Sequence, residues 1–154
     1  MFDVKVEIPS AAELIRRCGL QKYGPVQAAV DNECIRLMES YTPMRTGELI
    51  GAATRGTVLG SGLIRQDVPY AHYQYEGIIY VDPQTGVAGF LDENGMWKSR
   101  KNVAKVPCER QLTYYGGGKR GKKWFERMKA DHTEDIRQVA LHEIEEARRK
   151  AGNL

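Results

Sequence analysis

Alternation between apolar and polar residues changes its period along the chain and predicts the first elements. Residues 3–8, with the sequence DVKVEI, alternate with a period of two, which is typical of a β-strand that Pro9 then ends. From Pro25 onwards, apolar residues recur at spacings of three and four, which predicts an amphipathic helix. This helix is expected to end before Pro43, because a residue that precedes proline is disfavoured in the α region. Its apolar stripe consists of Val26, Val30, Cys34, Leu37, Met38 and Tyr41.

A shorter helix is predicted between these two elements, because the sequence has residues typical of a helix start and of a helix end. Ser10 is a favourable N-cap, and Glu13, three residues later, completes a capping box. Gly19 is a typical residue at which a helix stops. The chain is therefore expected to begin with a strand and a pair of helices.

The middle of the chain predicts short strands separated by turns. Residues 54–60 (TRGTVLG) and 62–66 (GLIRQ) are interpreted as a hairpin around Gly60-Ser61-Gly62. Three further apolar runs, at 78–81, 87–91 and 96–99, are separated by DPQTG and DENG, which have the residue types of turns. Consecutive strands joined in this way predict an antiparallel meander.

The last part of the chain predicts a helix from about Trp124. Asp131 and Glu134 are candidates for another capping box, which would divide this segment into a short and a longer helix. The longer helix carries one narrow apolar stripe of Ile136, Val139, Ala140, Ile144 and Ala147. The predicted fold class is α+β, a mostly antiparallel sheet flanked by an N-terminal helix pair and a C-terminal helix, in a single domain over residues 1–154.

Composition fits an ordinary globular protein. With 42% hydrophobic and 28% charged residues, 154 residues are enough to bury a core without disulfides. The net charge of +3 is too small to indicate a nucleic-acid-binding protein by itself. No apolar run reaches the roughly 18 residues of a membrane span, so we expect no membrane partner. Three widely spaced cysteines are typical of reduced thiols in a protein made in a cytoplasm.

A glycine-rich basic segment, GGGKRGKK at 116–123, comes close to a phosphate-binding loop. Gly116, Gly121 and Lys122 satisfy its spacing, but Lys123 stands where Ser or Thr must coordinate magnesium. The segment is therefore interpreted as a flexible, solvated basic loop, with contact to an acidic partner or to phosphates as the alternative. Its cations are Lys119, Arg120, Lys122 and Lys123.

Residues for catalysis or metal binding do not group in the sequence. His132 and His142 are ten residues apart and would lie on different faces of a helix. His72 has no cysteine or histidine at ligand spacing, and no nucleophile is accompanied by a base. We expect no catalytic residue, no metal, no cofactor and no enzymatic activity.

Residues 122–129, KKWFERMK, place aromatic side chains between cations. Trp124, Phe125 and Met128 share one side of a helical turn. Such alternation can bind single-stranded nucleic acid by stacking, but more commonly it anchors a helix in a core while lysine stems reach the solvent. The anchor is favoured, because only one face is apolar.

Two motifs in the first half of the chain suggest a family. The pattern Y-x-P-x-x-T-G-x-L is followed by P-Y-A-x-Y-x-x-x-G, and together they resemble minor capsid and tail-completion proteins of tailed bacteriophages, the HK97 gp10-like head–tail joining group. The residues that carry the pattern are Tyr41, Pro43, Thr46, Gly47, Leu49, Pro69, Tyr70, Ala71, Tyr73 and Gly77. Residues 121–136 resemble the C-terminal signature of a minor capsid subgroup from phages and prophages of Gram-positive bacteria. The resemblance covers most of residues 25–140.

The resemblance implies a structural virion protein of the phage neck, assembled in the cytoplasm of the bacterial host. Such proteins form a homo-oligomeric ring, expected here to be hexameric or dodecameric, that joins the head connector to the tail tube. The implied partners are connector or stopper proteins and tail-terminator proteins, with genomic DNA passing through the lumen. The motif residues, together with Tyr75, Trp124 and Phe125, are then candidates for the subunit interface. Tyrosine suits such semi-wet contacts, because its large ring ends in a polar group.

Single motif residues carry expectations of their own, and two other functions remain as alternatives. Gly47 is expected to adopt a conformation or a close approach that a β-carbon would hinder. Tyr70, fixed by Pro69, is expected to serve folding, and Tyr75 to serve subunit contact. The alternative function is a nucleic-acid-binding accessory protein that uses residues 119–129, and a nucleotide-dependent enzyme is a distant third.

Overall fold

Five helices and four short strands make up the described part of the chain. The structure is a computed structural model, and it describes residues 8–152 except for the side chain of Trp97. The strand predicted over 3–8 therefore lies outside the described residues but for Ile8, which belongs to no element. The helices are α1 (Ala11–Arg17), α2 (Pro25–Met38), α3 (Glu48–Gly56), α4 (Ala71–Glu76) and α5 (Trp124–Gly152), and the strands are β1 (Ile78–Val81), β2 (Phe90–Leu91), β3 (Trp97–Lys98) and β4 (Val106–Gln111). The α+β class is confirmed, with an N-terminal helix pair and a long C-terminal helix.

Helices α2 and α5 form the framework of the fold. They run in opposite directions: Tyr41, just after α2, bonds to Asp131 near the start of α5, whereas Gly19, just before α2, lies beside Ala147 near its end. A β-carbon on Gly19 would lie 2.9 Å from Pro25 and 3.1 Å from Ala147, so only glycine fits this turn. The buried core between the helices consists of Cys34, Leu37, Met38, Tyr41, Leu49, Ala53, Trp124 and Met128.

The two predicted helix starts at Ser10 and Pro25 are confirmed. The Ser10 hydroxyl accepts a hydrogen bond from the Glu13 backbone N–H at 3.2 Å, as expected of an N-cap. Helix α2 begins at Pro25 and ends at Met38, before Pro43. No helix among residues 8–152 is both long enough and apolar enough to cross a membrane.

Helix α5 is kinked where the sequence predicts a division. It is assigned as one element, but His132 has non-helical backbone angles (φ −123°, ψ 21°). The Thr133 hydroxyl donates to the Lys129 carbonyl oxygen, a contact that commonly bends helices. The predicted capping box is not seen: the Asp131 carboxylate accepts a hydrogen bond from the Tyr41 hydroxyl at 2.5 Å.

The hairpin predicted over 54–60 and 62–66 is wrong. Residues 48–56 form helix α3, because Leu49, Ala52 and Ala53 recur at helical spacing and bury one face. The loop that follows is fixed by a buried carboxylate: Asp31 accepts hydrogen bonds from the backbone N–H groups of Gly60 (2.8 Å) and Gly62 (3.1 Å). The turn at 60–62 therefore packs against α2 and joins no strands.

The predicted meander is confirmed in one of its two pairings: the runs at 87–91 and 96–99 do pair, as β2 and β3, but the run at 78–81 does not pair with 87–91. Strand β1 pairs with β4 in an antiparallel ribbon that has an irregularity between Ile78 and Ile79, and β2 pairs with β3 in a separate hairpin. The Asp82 carboxylate accepts hydrogen bonds from the backbone N–H groups of Gln84 and Thr85, so the DPQTG segment does turn the chain. Residues 87–89, however, add no strand beside β1, whose partner β4 is distant in sequence.

Candidate functional site

The two halves of the family-like motif meet in one open groove. Pro43, Thr46, Gly47 and Leu49 come from the first half and Tyr70 from the second, and all five line a cavity of about 560 Å³. We call it the motif groove. Its other lining residues are Met44, Arg45, Glu48, Gln74, Leu112, Thr113 and Tyr115.

Gly47 makes the turn that shapes the first wall. It precedes α3 with φ +82° and ψ −4°, in the left-handed region that favours glycine. A β-carbon there would meet no atom within 4 Å, so the requirement is one of backbone conformation and not of space. The conformation expected from the sequence is confirmed. Leu49, two residues later, is 6% exposed and joins the floor of the groove to the core.

The second wall is held in place by residues that follow β4. The Tyr115 carbonyl oxygen accepts a hydrogen bond from the Met44 N–H at 3.1 Å, and the Arg45 guanidinium lies 6.0 Å from the Tyr115 ring centroid. The Tyr114 hydroxyl donates to the Gln74 carbonyl oxygen of α4 at 2.9 Å. Burial raises the pKa of Tyr114, so this phenol stays a hydrogen-bond donor.

A second groove of about 770 Å³ adjoins the first and shares Tyr70, Gln74 and Leu112 with it. Tyr73 lines it and packs edge-to-face on Tyr80, with ring centroids 5.0 Å apart. Its remaining lining comes from Pro69, β1, and the segment 88–105, which contributes Ala88, Ser99, Arg100, Val103 and Lys105. Tyr70 and Tyr73 are 42% and 44% exposed, so large aromatic surface faces the solvent along both grooves.

The burial expected of Tyr70 and Tyr75 is reversed in the structure. Tyr75 packs edge-to-face on the buried Trp124, with centroids 4.6 Å apart, and its hydroxyl donates to Glu126. Tyr70 is the more exposed ring. The physical reason is that residues 71–76 form helix α4, which places Tyr70 and Tyr73 on one face and turns Tyr75 towards α5.

The basic-aromatic segment is an anchor, as the sequence favoured. Trp124 is 1% exposed, and its indole N–H donates to the Gln66 side-chain oxygen at 2.9 Å. Phe125 is half-buried against the same core. Gly77 ends α4 with φ +73°, and a β-carbon there would lie 2.9 Å from Lys122 and from Tyr114. Trp124 is therefore buried, Phe125 and Gly77 are partly buried, and none of the three lines the motif groove.

The loop at 116–123 is exposed at residues 116–119 and at Lys122, as expected of a solvated loop. Arg120, Gly121 and Lys123, in contrast to that expectation, are hydrogen-bonded to their own chain. Arg120 donates to the carbonyl oxygens of Glu39 (2.6 Å) and Thr42, and the Gly121 N–H donates to that of Tyr41 at 3.1 Å. Lys123 donates to Glu76 at 2.7 Å, and this bond lowers the pKa of Glu76. Of the four cations, Lys119 and Lys122 remain exposed.

Tyr41 is the buried centre of these contacts. Its hydroxyl donates to Asp131 and accepts from the Lys119 ammonium at 2.9 Å, while His132 meets its ring edge-on at 5.9 Å. The Tyr41 hydrogen bond, with the Lys119 charge beyond it, lowers the pKa of Asp131. The Tyr41 bond likewise raises the pKa of Lys119. This cluster fastens the loop to the junction of α2 and α5.

Sequence reasoning missed several residues of the motif groove. Leu112, Thr113 and Tyr115 carry no periodicity or motif, and only the non-local pairing of β1 with β4 brings them to α4. Gln66 was also missed, although it links Trp124 to the Leu49 carbonyl oxygen. In the part of the chain from 8 to 152, no three His, Cys, Asp or Glu side chains are grouped to hold a metal ion.

No protein-family model, curated protein or solved structure matches the chain. The features of the chain that bear on its function are therefore the geometry of the grooves and the motif residues that line them.

Proposed function

We propose that this chain is a structural protein of the phage neck that forms a ring between the head connector and the tail tube. The observation that carries the proposal is the convergence of the two motif halves on one groove. Residues that are separate in the sequence, and that resemble the motif of head–tail joining proteins, share one accessible surface. A surface of this kind is expected where subunits touch.

The chemistry of the surface supports subunit contact. Tyr70, Tyr73 and Met44 are 42–44% exposed and Tyr115 is 63% exposed, all around the two grooves. Exposed aromatic and methionine side chains grouped in this way are typical of protein interfaces. The motif groove has a mostly apolar lining with Arg45 and Glu48 at its edge, which suits a peptide surface.

In this proposal the ring is hexameric or dodecameric and contacts connector or stopper proteins and tail-terminator proteins. It belongs to the virion and is assembled in the bacterial cytoplasm, and genomic DNA passes through its lumen. Its role is mechanical, so we propose no catalytic residue and no cofactor.

The alternative, a nucleic-acid-binding protein that uses residues 119–129, has less support. Arg120, Lys123 and Arg127 donate hydrogen bonds to oxygens of their own chain, which leaves fewer free cations than the sequence suggested. Trp124 is buried and has no face on which a base can stack.

Light scattering over a wide concentration range, on the purified chain alone and with isolated tails, tests the proposal. We expect rings in at least one of the two conditions and weaker assembly of Tyr70→Ala. A chain that never oligomerises, and that binds DNA as a monomer with a steep salt dependence, would favour the alternative. Leu63→Ala is the matched control, because Leu63 is 60% exposed and lines neither the motif groove nor the second groove.

A further inference from the structure

The β2–β3 hairpin presents apolar side chains that its own chain leaves uncovered. Its strands are two residues each, and Phe90, Leu91 and Met96 are 47%, 65% and 64% exposed. Within the described residues, no other helix or strand packs extensively against it. An isolated two-stranded hairpin is at best marginally stable in water, so this one would gain stability from a covering surface.

The tip of the hairpin is ordered and acidic. The Asp92 carboxylate accepts hydrogen bonds from the N–H groups of Asn94 (3.0 Å) and Met96 (2.8 Å) and pairs with Lys98 at 2.6 Å. The Asp92 carboxylate therefore interacts with groups of the hairpin itself. Glu93, beside it, is exposed and forms no ion pair with any residue of the described range 8–152.

The motif groove offers complementary groups. Its floor and walls include Leu49, Leu112, Tyr70 and Tyr115. Two charged residues lie at its edge. Glu48 pairs with Arg55, whereas Arg45 is exposed, lies over the Tyr115 ring and pairs with no carboxylate among residues 8–152. The groove thus combines an apolar lining with a cation, and the hairpin combines apolar side chains with an anion.

We propose that the β2–β3 hairpin of a second copy of this chain docks in the motif groove. Leu91 and Met96 pack against the apolar lining, and Glu93 pairs with Arg45. Because the hairpin and the groove are different surfaces, the contact is head-to-tail, and such contacts close into rings when the rotation between copies allows it. The inference rests on the proposed ring and identifies the surfaces that build it.

A charge-reversal cycle tests the pairing. Glu93→Arg and Arg45→Glu are each expected to weaken self-association of the full chain, measured by analytical ultracentrifugation, by about tenfold or more. The double variant is expected to recover to within about threefold of the wild type, because the pair is restored with opposite orientation. Glu145→Arg, on the exposed face of α5, is the control and should leave association unchanged.

Replacement of an apolar residue of the hairpin is the second test. Leu91→Asp is expected to weaken association by about 30-fold, whereas Leu63→Asp, at a similarly exposed leucine elsewhere, should have little effect. Circular dichroism checks that both variants keep the fold. Where the free chain stays monomeric, assembly onto isolated tails is the readout.

The outcomes separate this inference from the proposed function. If rings form and the hairpin and Arg45 variants assemble as well as the wild type, the hairpin inference is wrong and the ring proposal stands. Single variants that weaken assembly without recovery in the double variant would contradict the Glu93–Arg45 pairing. If the wild type forms no ring either alone or on tails, the proposed function fails, and the hairpin inference fails with it.

Discussion

Tyr70 and Tyr75 are five positions apart and lie in different surroundings. Tyr75 packs on Trp124 and adjoins the buried core, whereas Tyr70 lies where the two grooves meet, with 42% of its surface exposed. Pro69 precedes Tyr70 and fixes the chain as expected, but it presents the ring to the groove and not to the core. The position of each ring on α4 determines its role.

We therefore expect opposite effects from the two alanine variants. Tyr75→Ala should lower the free energy of unfolding by about 3 kcal/mol, as large aromatic truncations do in cores. Tyr70→Ala should change it by less than about 1 kcal/mol and act on assembly. Chemical denaturation of the monomer measures both, and each variant is the control for the other. A larger loss of stability in Tyr70→Ala than in Tyr75→Ala would contradict the assignment.

Asp131 gives a pH dependence whose sign follows from its surroundings. Its pKa is lowered by the Tyr41 hydroxyl, which donates to it, and further by Lys119. A carboxyl whose pKa falls on folding stabilises the protein above its unfolded pKa, and this contribution is lost as the pH drops through the folded pKa. With an ordinary aspartate pKa near 3.9, the loss is expected below about pH 4.

Asp131→Asn removes this contribution. Its free energy of unfolding should be lower than that of the wild type at pH 7, and the difference should shrink as the pH falls below about 4. Asp67→Asn is the control, because Asp67 is highly exposed and lies 4.0 Å from its nearest cation. A difference that stays constant from neutral to acid pH would show that Asp131 contributes through packing and not through its charge.

At the scale of elements, the segment 116–123, which we call the strap, packs over the end of α2. Arg120 and the Gly121 N–H bind carbonyl oxygens at and beyond the end of that helix, which would otherwise lack partners within it. Lys123 binds α4 through Glu76 and, by its own N–H, the Tyr75 carbonyl oxygen at 2.9 Å. The strap thus connects α2, α4 and the start of α5.

Hydrogen exchange should divide the strap into two parts. We expect slow exchange at the Gly121 and Lys123 amides, which are hydrogen-bonded, and fast exchange at Gly117 and Gly118, which are exposed. In Arg120→Ala the protection of Gly121 should fall, because Arg120 holds the neighbouring carbonyl groups. Equally fast exchange along the whole segment in the wild type would mean that these bonds do not persist in solution.

The elements that the sequence could predict are those marked by local signals. Helices α1, α2 and α5 were predicted because caps or long apolar stripes mark them locally. Helix α3 was mistaken for part of a hairpin, since its nine residues include Gly51 and Gly56 and its buried face is short. The β1–β4 pairing was missed because it depends on contacts between strands distant in sequence, and with it the Leu112–Tyr115 wall of the motif groove. Gly47 was predicted correctly, because a glycine in a turn between a helix that ends before proline and a new apolar segment is a local signal.

At the scale of the whole molecule, the motif residues divide between the core and the motif groove. Tyr41 lies in the core, Thr46 and Tyr70 line the motif groove, and Leu49 belongs to both. Assembly variants can therefore be chosen that leave the core intact. In the proposed ring, the acidic and apolar groups of the hairpin complement this groove in a head-to-tail contact.

Electron cryomicroscopy of the necks of the phage particles to which the proposal assigns this chain is the most direct test of the proposed role. The account predicts a ring of this chain between the head connector and the tail tube, with the motif groove at the contact between neighbouring copies. Particles that carry Tyr70→Ala should show a depleted ring and poorly joined heads and tails, while Leu63→Ala particles should match the wild type. Complete necks in which this chain has no place would contradict the account.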